Sequence, residues 1–391
     1  MAEKIRIMLI DDSAVIRRLL TDVLTSDPQL EVVGSAQNGQ IALEKLPTLN
    51  PDLVILDVEM PVMDGLETLT EIRKRQPRLP VIMFSSITER GAIVTLEALA
   101  RGANDYITKP SNTGNMSKSL QRVRDELIPR VKAFCQHLLS PVAPVAPVAP
   151  VAPVAPVAPV IQPSVPKRAI FSEPAPLPVS PPSPITVSPR RPIAAVPHLR
   201  VDVVAIGAST GGPNALATLV SRLPAQFPVP ILIVQHMPPI FTRLLAERLA
   251  TQTKLPVAEG VAGEILQPGQ VWLAPGGSHM VLERQGTQVR LQLNQNEPEN
   301  SCRPAVDVLL RSVAATYRAN ALAVILTGMG SDGLKGCEAI HHAGGQVLVQ
   351  DEASSVVWGM PSFVVKAGLA DGQIALPKLA EEITSRVRMR L

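Results

Sequence analysis

The chain has 391 residues, of which 46% are hydrophobic and 39 are proline. This length is enough for two hydrophobic cores, and the excess of proline predicts an unfolded segment between them. The 37 basic and 34 acidic residues are mixed along the chain, so the net charge of +3 gives little support for a polyanionic partner such as nucleic acid.

The three cysteines are Cys135, Cys302 and Cys337. They are too few and too scattered for a disulfide framework or a zinc site, which favours a reducing compartment. The apolar stretch at the amino terminus, in MAEKIRIMLIDDS, is too short for a signal peptide and ends in two aspartates. We therefore expect a cytoplasmic protein with buried or idle thiols.

Strand-like and helix-like patterns alternate five times in the first part of the chain. The predicted strands are IRIMLI, LEVVGSA, LVILD, VIMFS and DYITK. The predicted helices are AVIRRLLTDVL, QIALEKL, LETLTEIRKR, AIVTLEALA and SLQRVRDELIPRVKAF. This alternation predicts a doubly wound α/β unit.

Polar side chains lie at the ends of four of these strands. In chain order they are Asp11 and Asp12, Asp57, Ser85 and Lys109. Carboxylates crowded at one sheet edge repel one another unless a hard cation neutralises them, and oxygen ligands suit Mg²⁺. A single Asp in such a place is often only a helix N-cap or turn residue, but four coincident strand ends argue against that reading.

The motifs LIDDS, LDVEMPVMDG, VIMFSS and DYITKP resemble the response-regulator receiver family over residues 4 to about 125. The resemblance implies a flavodoxin-like, five-stranded parallel sheet in the order 2-1-3-4-5. It also implies transfer of a phosphoryl group from a histidine kinase to Asp57. The other implied roles are Mg²⁺ binding by Asp11, Asp12 and Asp57, and switching by Ser85, Tyr106 and Lys109.

A proline-rich segment follows. Residues 140–166 are uncharged, and Pro-Val-Ala repeats from Pro141 onward. Proline at every third position removes amide donors, so a membrane span here would leave backbone groups unsatisfied in lipid. We expect a semi-rigid polyproline tether without membrane insertion, so the predicted domains are a receiver at 1–125, a linker with a helical start at 126–197, and a second domain at 198–391.

Strand patterns return after the tether. They are VDVVAIG, PVPILIVQ, QVWLA, QVRLQL, LAVILTG and GQVLVQ, with helical stretches such as LLAERLA and AVDVLLRSVAATY between them. These patterns predict a second doubly wound α/β domain with a mostly parallel sheet. An antiparallel pair is expected near residues 271–293.

Ser209 lies in Gly-Ala-Ser-Thr-Gly-Gly, which fits the G-x-S-x-G turn that exposes a nucleophilic hydroxyl between a strand and a helix. Two other readings remain open on this motif alone. A plain Ser N-cap has the same appearance, and so does a phosphate-binding turn, although no P-loop lysine follows.

A nucleophilic serine needs a base and an acid that orients the base. Of the six histidines, His236 is the one that ends a long buried run, ILIVQH, and Asp332 lies in the glycine-rich loop LTGMGSDG. The glycines of this loop allow close backbone approach, so we expect amides around Met329 to point at a developing oxyanion. Taken singly, a structural histidine and a turn-forming aspartate are the plainer interpretations.

The segments GASTGG, QHMP, CRPAVD and GMGSDG resemble the protein-glutamate methylesterase family of bacterial chemotaxis, the CheB family, over about residues 200–385. The chain order Ser, His, Asp also differs from that of α/β-hydrolases. The resemblance implies that Ser209 is the nucleophile, His236 the base and Asp332 the third member. Thr210 and Met329 are implied contributors to the oxyanion site, and no cofactor is expected there.

The implied activity is hydrolysis of γ-glutamyl methyl esters on the cytoplasmic domain of chemoreceptors, with glutamine deamidation as a related reaction. The unphosphorylated receiver is expected to cover the catalytic cleft, and the long tether predicts weaker inhibition than a short one would allow. Two alternatives stay open. One is a receiver joined to a DNA-binding module, for which no recognition helix stands out, and the other is an esterase acting on a small metabolite.

Overall fold

A computed structural model describes residues 4–110, 116–139 and 200–388 of the chain. The Pro-Val-Ala repeat and the rest of the predicted tether beyond residue 139 lie outside these ranges. Within them, no helix is long and apolar enough to cross a membrane. The two α/β domains predicted from the sequence belong to one compact unit.

The amino-terminal sheet has five parallel strands in the order β2-β1-β3-β4-β5, as expected. Its strands are β1 (Ile5–Ile10), β2 (Leu30–Ala36), β3 (Leu53–Asp57), β4 (Val81–Ser85) and β5 (Asp105–Thr108). Its helices are α1 (Ala14–Thr25), α2 (Gly39–Leu49), α3 (Gly65–Arg75), α4 (Glu89–Ala100), α5 (Met116–Phe134) and α6 (Gln136–Leu139). The domain boundary predicted at residue 125 falls inside α5.

Central strands of this sheet are buried on both faces, which explains their continuous apolar runs. Helix starts in this half carry polar side chains that accept backbone amides. In α3, Asp64 accepts from the Glu67 amide at 2.8 Å and the Glu67 carboxylate accepts from the Asp64 amide, which is a capping box. These local signals are why the elements of this half could be predicted closely.

The carboxy-terminal sheet has seven parallel strands in the order β14-β13-β12-β6-β7-β9-β8. They are β6 (Val203–Ala208), β7 (Ile231–Gln235), β8 (Val257–Glu259), β9 (Val271–Leu273), β12 (Ala321–Ile325), β13 (Gln346–Gln350) and β14 (Gly372–Ile374). A hairpin of β10 (His279–Gln285) and β11 (Gln288–Asn294) stands apart from it. The helices are α7 (Gly212–Val220), α8 (Pro239–Gln252), α9 (Val306–Tyr317), α10 (Leu334–His342), α11 (Met360–Lys366) and α12 (Leu376–Arg388).

Helices cover both faces of the seven-stranded sheet, so the doubly wound prediction is confirmed. Alternate residues of β6 point into two separate cores: Val204 packs with residues of α7, α8 and α12, whereas Val203 packs with residues of α9, α10 and α11. Strands β12, β6 and β7 are parallel neighbours and end side by side at one edge of this sheet.

The prediction of an antiparallel pair is wrong about which residues form it. The antiparallel pair expected near residues 271–293 is the hairpin formed by residues 279–294, and the strand at 271–273 instead pairs in parallel with β7 and β8. The sequence between β9 and β10, APGGS at residues 274–278, separates a strand of the sheet from a strand of the hairpin. Three strands were not predicted: β10, the first strand of the hairpin, and β8 and β14, whose three residues give too little periodicity.

Candidate active site and its neighbouring receiver site

The sheet brings Ser209, His236 and Asp332 to one edge. Ser209 follows β6 and His236 follows β7, and the parallel register of these strands pairs Ala208 with Gln235, so the two residues occupy matching positions one step later. The His236 amide donates to the Ala208 carbonyl at 3.3 Å, which continues this alignment past the strand ends. Asp332 lies in the loop after β12 and reaches the same edge.

His236 and Asp332 form a direct pair, with 2.7 Å between His236 Nε2 and Asp332 Oδ2. Burial by itself disfavours the imidazolium, but hydrogen bonds to Asp332 and Cys302 outweigh it and raise the pKa of His236 well above its usual range. Burial likewise acts to raise the pKa of Asp332, yet the contact with His236 and backbone amides holds it below its usual range. The pair therefore favours imidazolium facing carboxylate.

Asp332 is held by more donors than His236 alone. They are the amides of Val306 at 2.6 Å, Asp307 at 3.0 Å and Gly333 at 3.1 Å, and the Asn300 side chain at 2.9 Å. Two of these amides are the first N–H groups of α9, whose N-cap residue Ala305 offers no side-chain acceptor. The carboxylate of Asp332 thus caps α9 and lies at the positive end of its dipole.

Asp307 caps α10 in the same way as Asp332 caps α9. Its carboxylate accepts from the amides of Gly333 at 2.9 Å and Gly336 at 2.7 Å, so it caps α10 from α9. Asn300 donates to Asp307 at 2.9 Å and to Asp332, which links the two carboxylates. Burial and the nearby Asp332 charge raise the pKa of Asp307 above its usual range. The sequence analysis missed Asn300 and Asp307, although both lie in or beside the CRPAVD segment.

Ser209 is half-buried, and within the described residues its hydroxyl makes no hydrogen bond. The structure therefore places Ser209 and His236 just past neighbouring strand ends, without a hydrogen bond between their side chains. Such contacts are often long in resting enzymes and tighten when substrate binds.

The amides of Thr210 and Met329 also donate no hydrogen bond to any part of the chain that the structure describes. The carbonyl that precedes each amide is held firmly. Ser209 O accepts from the Gly212 amide at 2.8 Å and from Gln235 Nε2 at 2.9 Å. Gly328 O accepts from the amides of Gly359 at 3.1 Å and Met360 at 2.8 Å. Because the peptide group is planar and trans, each anchored carbonyl fixes the direction of the amide that follows it.

The amino-terminal sheet carries the second predicted cluster. One carboxylate oxygen from each of Asp11, Asp12 and Asp57 lies within 4.8 Å of the others, and Asp11 and Asp57 are buried. Lys109 Nζ lies 3.0 Å from Asp11 Oδ2 and 2.8 Å from Asp57 Oδ2. Burial and the Asp11 charge raise the pKa of Asp57 to about 6, although Lys109 opposes this shift.

The cluster suits a divalent cation on chemical grounds. Apart from the Lys109 ion pair, Asp11 Oδ2 and Asp57 Oδ2 accept no hydrogen bond from the described residues, and both atoms are buried. One lysine shared by two buried carboxylates leaves negative charge without compensation, and a hard cation is what such oxygen ligands prefer. The residues present therefore fit the implied Mg²⁺.

The predicted switch residues Ser85 and Tyr106 contact two different helices. The Ser85 hydroxyl donates to the Gly91 carbonyl at 3.2 Å and accepts from Thr95 Oγ1 at 2.7 Å, so it is engaged with α4 rather than with Asp57. Tyr106 is buried, and its ring stacks on Phe241 of α8 with centroids 4.7 Å apart. Tyr106 therefore contacts the helix that follows His236.

Residues of β5 and α4 form hydrogen bonds with residues that follow Ser209 in the chain. The Thr210 hydroxyl, next to Ser209, donates to Asp105 Oδ2 at 3.0 Å, and Arg130 also binds this carboxylate at 3.1 Å. Asn214 Nδ2 donates to the Leu99 carbonyl at 2.7 Å. At the rim, Arg243 pairs with Glu89 at 2.7 Å. These polar contacts surround a hydrophobic cluster with members from both sheets.

Comparison with known proteins gives matches along nearly the whole chain. One family model, the response regulator receiver domain, matches residues 7–121, and another, the CheB methylesterase, matches residues 204–383. A protein of Trichodesmium erythraeum named protein-glutamate methylesterase/protein-glutamine glutaminase is 50% identical, over 98% of this chain and 99% of that protein. One of the same name from Nocardioides sp. is 44% identical, over 98% of this chain and 95% of that protein.

Among solved structures, the CheB methylesterase catalytic domain of Thermotoga maritima is 43% identical. Its TM-score is 0.47, and the match covers 47% of this chain and 98% of that chain.

Proposed function

Because the chain belongs to the CheB family of protein-glutamate methylesterases/protein-glutamine glutaminases and carries a receiver domain, we propose that Ser209, His236 and Asp332 form its catalytic triad. The proposed substrates are γ-glutamyl methyl esters on the cytoplasmic domains of chemoreceptors, with glutamine deamidation at the same site. The observation that carries the proposal is the 2.7 Å pair of His236 and Asp332 beside Ser209, at matching strand ends.

In the proposed reaction neutral His236 takes the proton of the Ser209 hydroxyl as the oxygen attacks the ester carbonyl. The carbonyl oxygen becomes an oxyanion, and collapse of this intermediate expels methanol, which carries away the proton held by the imidazole. Water then attacks the acyl-serine with the same base, and the glutamate carboxylate leaves. Asp332 stabilises the imidazolium throughout and remains ionised.

The proposed oxyanion donors are the amides of Thr210 and Met329. Two observations support this proposal. Neither amide donates a hydrogen bond to another described residue, and the carbonyl that precedes each amide is anchored, which fixes the direction of the N–H. A donor oriented before the reaction is typically worth about 2.7 to 4 kcal/mol in the transition state.

Replacement of the nucleophile tests the triad. Ser209→Ala should lower methanol release from methylated receptor by about 10³-fold or more, because no other hydroxyl occupies its place. Ser221→Ala is the matched control, since this serine caps the far end of α7 and should keep its activity. Retained turnover in Ser209→Ala would contradict the triad, and turnover on small esters but never on receptor would contradict the substrate.

We further propose that a histidine kinase phosphorylates Asp57 and that this releases the catalytic edge. Asp11, Asp12 and Asp57 would hold Mg²⁺, which shields the incoming phosphoryl group, and Lys109 would bind one of its oxygens. In the present state Asp105 engages Thr210, and Tyr106 packs on Phe241. A receiver seated in this way restricts access to Ser209.

Two measurements test this control. A small phosphodonor with Mg²⁺ should raise the esterase rate of the wild type and leave Asp57→Asn unchanged. At the rim, Glu89→Arg should raise the unphosphorylated rate by opposing Arg243, and the pair Glu89→Arg with Arg243→Glu should restore it. Equal rates in all of these proteins, with and without phosphodonor, would show that the receiver does not cover the site.

A further inference from the structure

Gln235 lies between the nucleophile and the base without belonging to the triad. It is the last residue of β7, directly before His236, and only 2% of it is exposed. Its Nε2 donates to the Ser209 carbonyl at 2.9 Å, across the gap between neighbouring strand ends. The side chain therefore touches the main chain of the proposed nucleophile rather than its hydroxyl.

This contact acts on the peptide that joins Ser209 to Thr210. In a trans peptide the carbonyl and the following N–H point in opposite directions, so a bond to the Ser209 carbonyl sets where the Thr210 N–H points. The Gly212 amide holds the same carbonyl from within the turn. Gln235 adds a second bond from the adjacent strand, so that rotation of the peptide must break two hydrogen bonds at once.

The other end of the amide has no partner. Gln235 Oε1 is buried and accepts no hydrogen bond from the described residues. It lies over the backbone of Gly212, where an added Cβ would come within 1.9 Å of it. A buried amide with an unsatisfied oxygen contributes little net stability to a fold, so an apolar side chain of the same size would serve packing equally well.

The second proposed oxyanion donor is held differently. The carbonyl before Met329 is anchored by the amides of Gly359 and Met360, both backbone groups. By contrast, the carbonyl before Thr210 accepts one of its two hydrogen bonds from a side chain, that of Gln235. A single side-chain substitution can therefore change the direction of the Thr210 N–H but not that of Met329.

We infer that Gln235 is a positioning residue that orients the Ser209–Thr210 peptide so that the Thr210 amide faces the oxyanion. The inference rests on the proposed function, since an oxyanion forms only if Ser209 attacks the ester. Gly212 is part of the same device, because the absence of a side chain there leaves room for the Gln235 amide.

The test compares wild type with Gln235→Met, which keeps the length of the side chain and removes its donor. We expect kcat for methanol release to fall on the order of 10- to 100-fold with KM unchanged. The acid limb of the pH profile of kcat/KM should keep its position, because His236 keeps its partner. Labelling of Ser209 by a fluorophosphonate probe should slow by a similar factor.

Thr242→Val is the matched control. Thr242 is fully buried and accepts the Gly276 amide at 2.9 Å, so its replacement removes one comparable backbone contact away from Ser209. This variant should keep its kcat and its labelling rate. Gly212→Ala tests the same contact by a second substitution, since the added Cβ should displace the Gln235 amide. This variant should lower kcat as Gln235→Met does. The double variant should have nearly the same kcat as Gln235→Met alone.

Several results would overturn the inference. One is that Gln235→Met is labelled at Ser209 as fast as the wild type. Another is that this change shifts the acid limb of the pH profile of kcat/KM. The third is that Thr242→Val loses as much kcat as Gln235→Met. In each case Ser209-dependent labelling of the wild type would leave the proposed function intact. Failure of the wild type to label at Ser209 would instead reject the proposed function itself.

Discussion

Aspartates lie beyond the carboxyl ends of parallel strands in both domains, but their surroundings differ. Asp332 accepts from His236, from Asn300 and from the amides of Val306, Asp307 and Gly333. Asp57 has the Lys109 ion pair and one backbone amide, that of Glu59 at 3.4 Å. As a result, the pKa of Asp332 lies below its usual range, while burial and Asp11 raise that of Asp57 to about 6.

The comparison shows how the same position in two parallel sheets can suit two kinds of chemistry. A carboxylate surrounded by fixed donors is a permanent anion, which suits a residue that must only orient an imidazole. A buried carboxylate with few donors keeps uncompensated charge and unused lone pairs, which suits a residue that binds a cation and accepts a phosphoryl group. Helix α9 makes the difference, because its N-terminal amides donate to Asp332, whereas no backbone amide of the described residues donates to Asp57 Oδ2.

Removing the charge of Asp332 should have the largest effect. In Asp332→Asn the amide would favour the wrong imidazole tautomer, so we expect kcat to fall by about 10⁴-fold. Asp57→Asn is the matched change in the other domain and should leave the unphosphorylated rate as it is. Methanol release measured without phosphodonor compares the two, and similar losses in both would remove the functional distinction.

The same two variants should change stability in opposite directions. Asp332→Asn brings an NH₂ group against donors of α9 or Asn300, so the free energy of unfolding should fall by roughly 2 to 4 kcal/mol. The pKa of Asp57 is raised from 3.8 to about 6 in the folded state, so the destabilisation due to its ionised form builds up between these pH values and is complete above about pH 6. Asp57→Asn should therefore be neutral or stabilising, by about 1 kcal/mol, because the loss of the Lys109 pair offsets part of the gain.

Urea unfolding at pH 7 without divalent cations measures both changes. Added Mg²⁺ should stabilise the wild type and leave Asp57→Asn unaffected. If Asp57→Asn lowers the free energy of unfolding as Asp332→Asn does, the hydrogen bonds and ion pairs of Asp57 compensate its burial as fully as those of Asp332.

The pH dependence of the esterase should reflect the His236 pair. Because the pKa of His236 is raised, the imidazole becomes protonated as pH falls through a value above 6.5, and the imidazolium cannot accept the Ser209 proton. We therefore expect kcat/KM to fall with falling pH, with its midpoint above 6.5. Cys302→Ala, which removes the weaker neighbour, should move the midpoint slightly down, and a wild-type midpoint at or below 6.5 would contradict the pairing.

Much of this arrangement could be predicted from the sequence. Strand endings at Ser209, at His236 and near Asp332 follow from long apolar runs, and parallel strands bring such endings to one edge. The family predicted from the motifs is confirmed by the matches of both domains. The antiparallel pair was placed too early, because a three-residue strand at Val271 gives the same local signal as a hairpin strand.

The supporting residues could not be predicted, for a physical reason. Gln235, Asn300 and Asp307 act through side-chain contacts with main-chain groups or with one another across separate elements. No periodicity marks such contacts, since they depend on where a loop meets a helix start. The proline-rich tether stays a prediction, as does the weaker inhibition inferred from its length.

Backbone strain offers the smallest contrast between the two sites. In the turns that follow β6 and β12 the left-handed positions are glycines, namely Gly211 at φ 76°, Gly330 at φ 84° and Gly333 at φ 96°, whereas the loop before α9 has Asn300 at φ 54° and Ser301 at φ 61°. The loop that follows Asp57 instead has Val62 at φ 73°, where a β-branched side chain is poorly tolerated.

Val62→Gly should therefore raise the free energy of unfolding by about 0.5 to 1 kcal/mol. The relief of strain, about 1 to 2 kcal/mol, exceeds the entropy cost of a glycine, and little burial is lost because Val62 is 76% exposed. Val261→Gly is the control, since Val261 is also exposed but does not adopt a positive φ, and it should be neutral or slightly destabilising. Urea unfolding of both variants decides the matter, and a loss of stability in Val62→Gly would show that the valine side chain offsets its own strain through contacts in this loop.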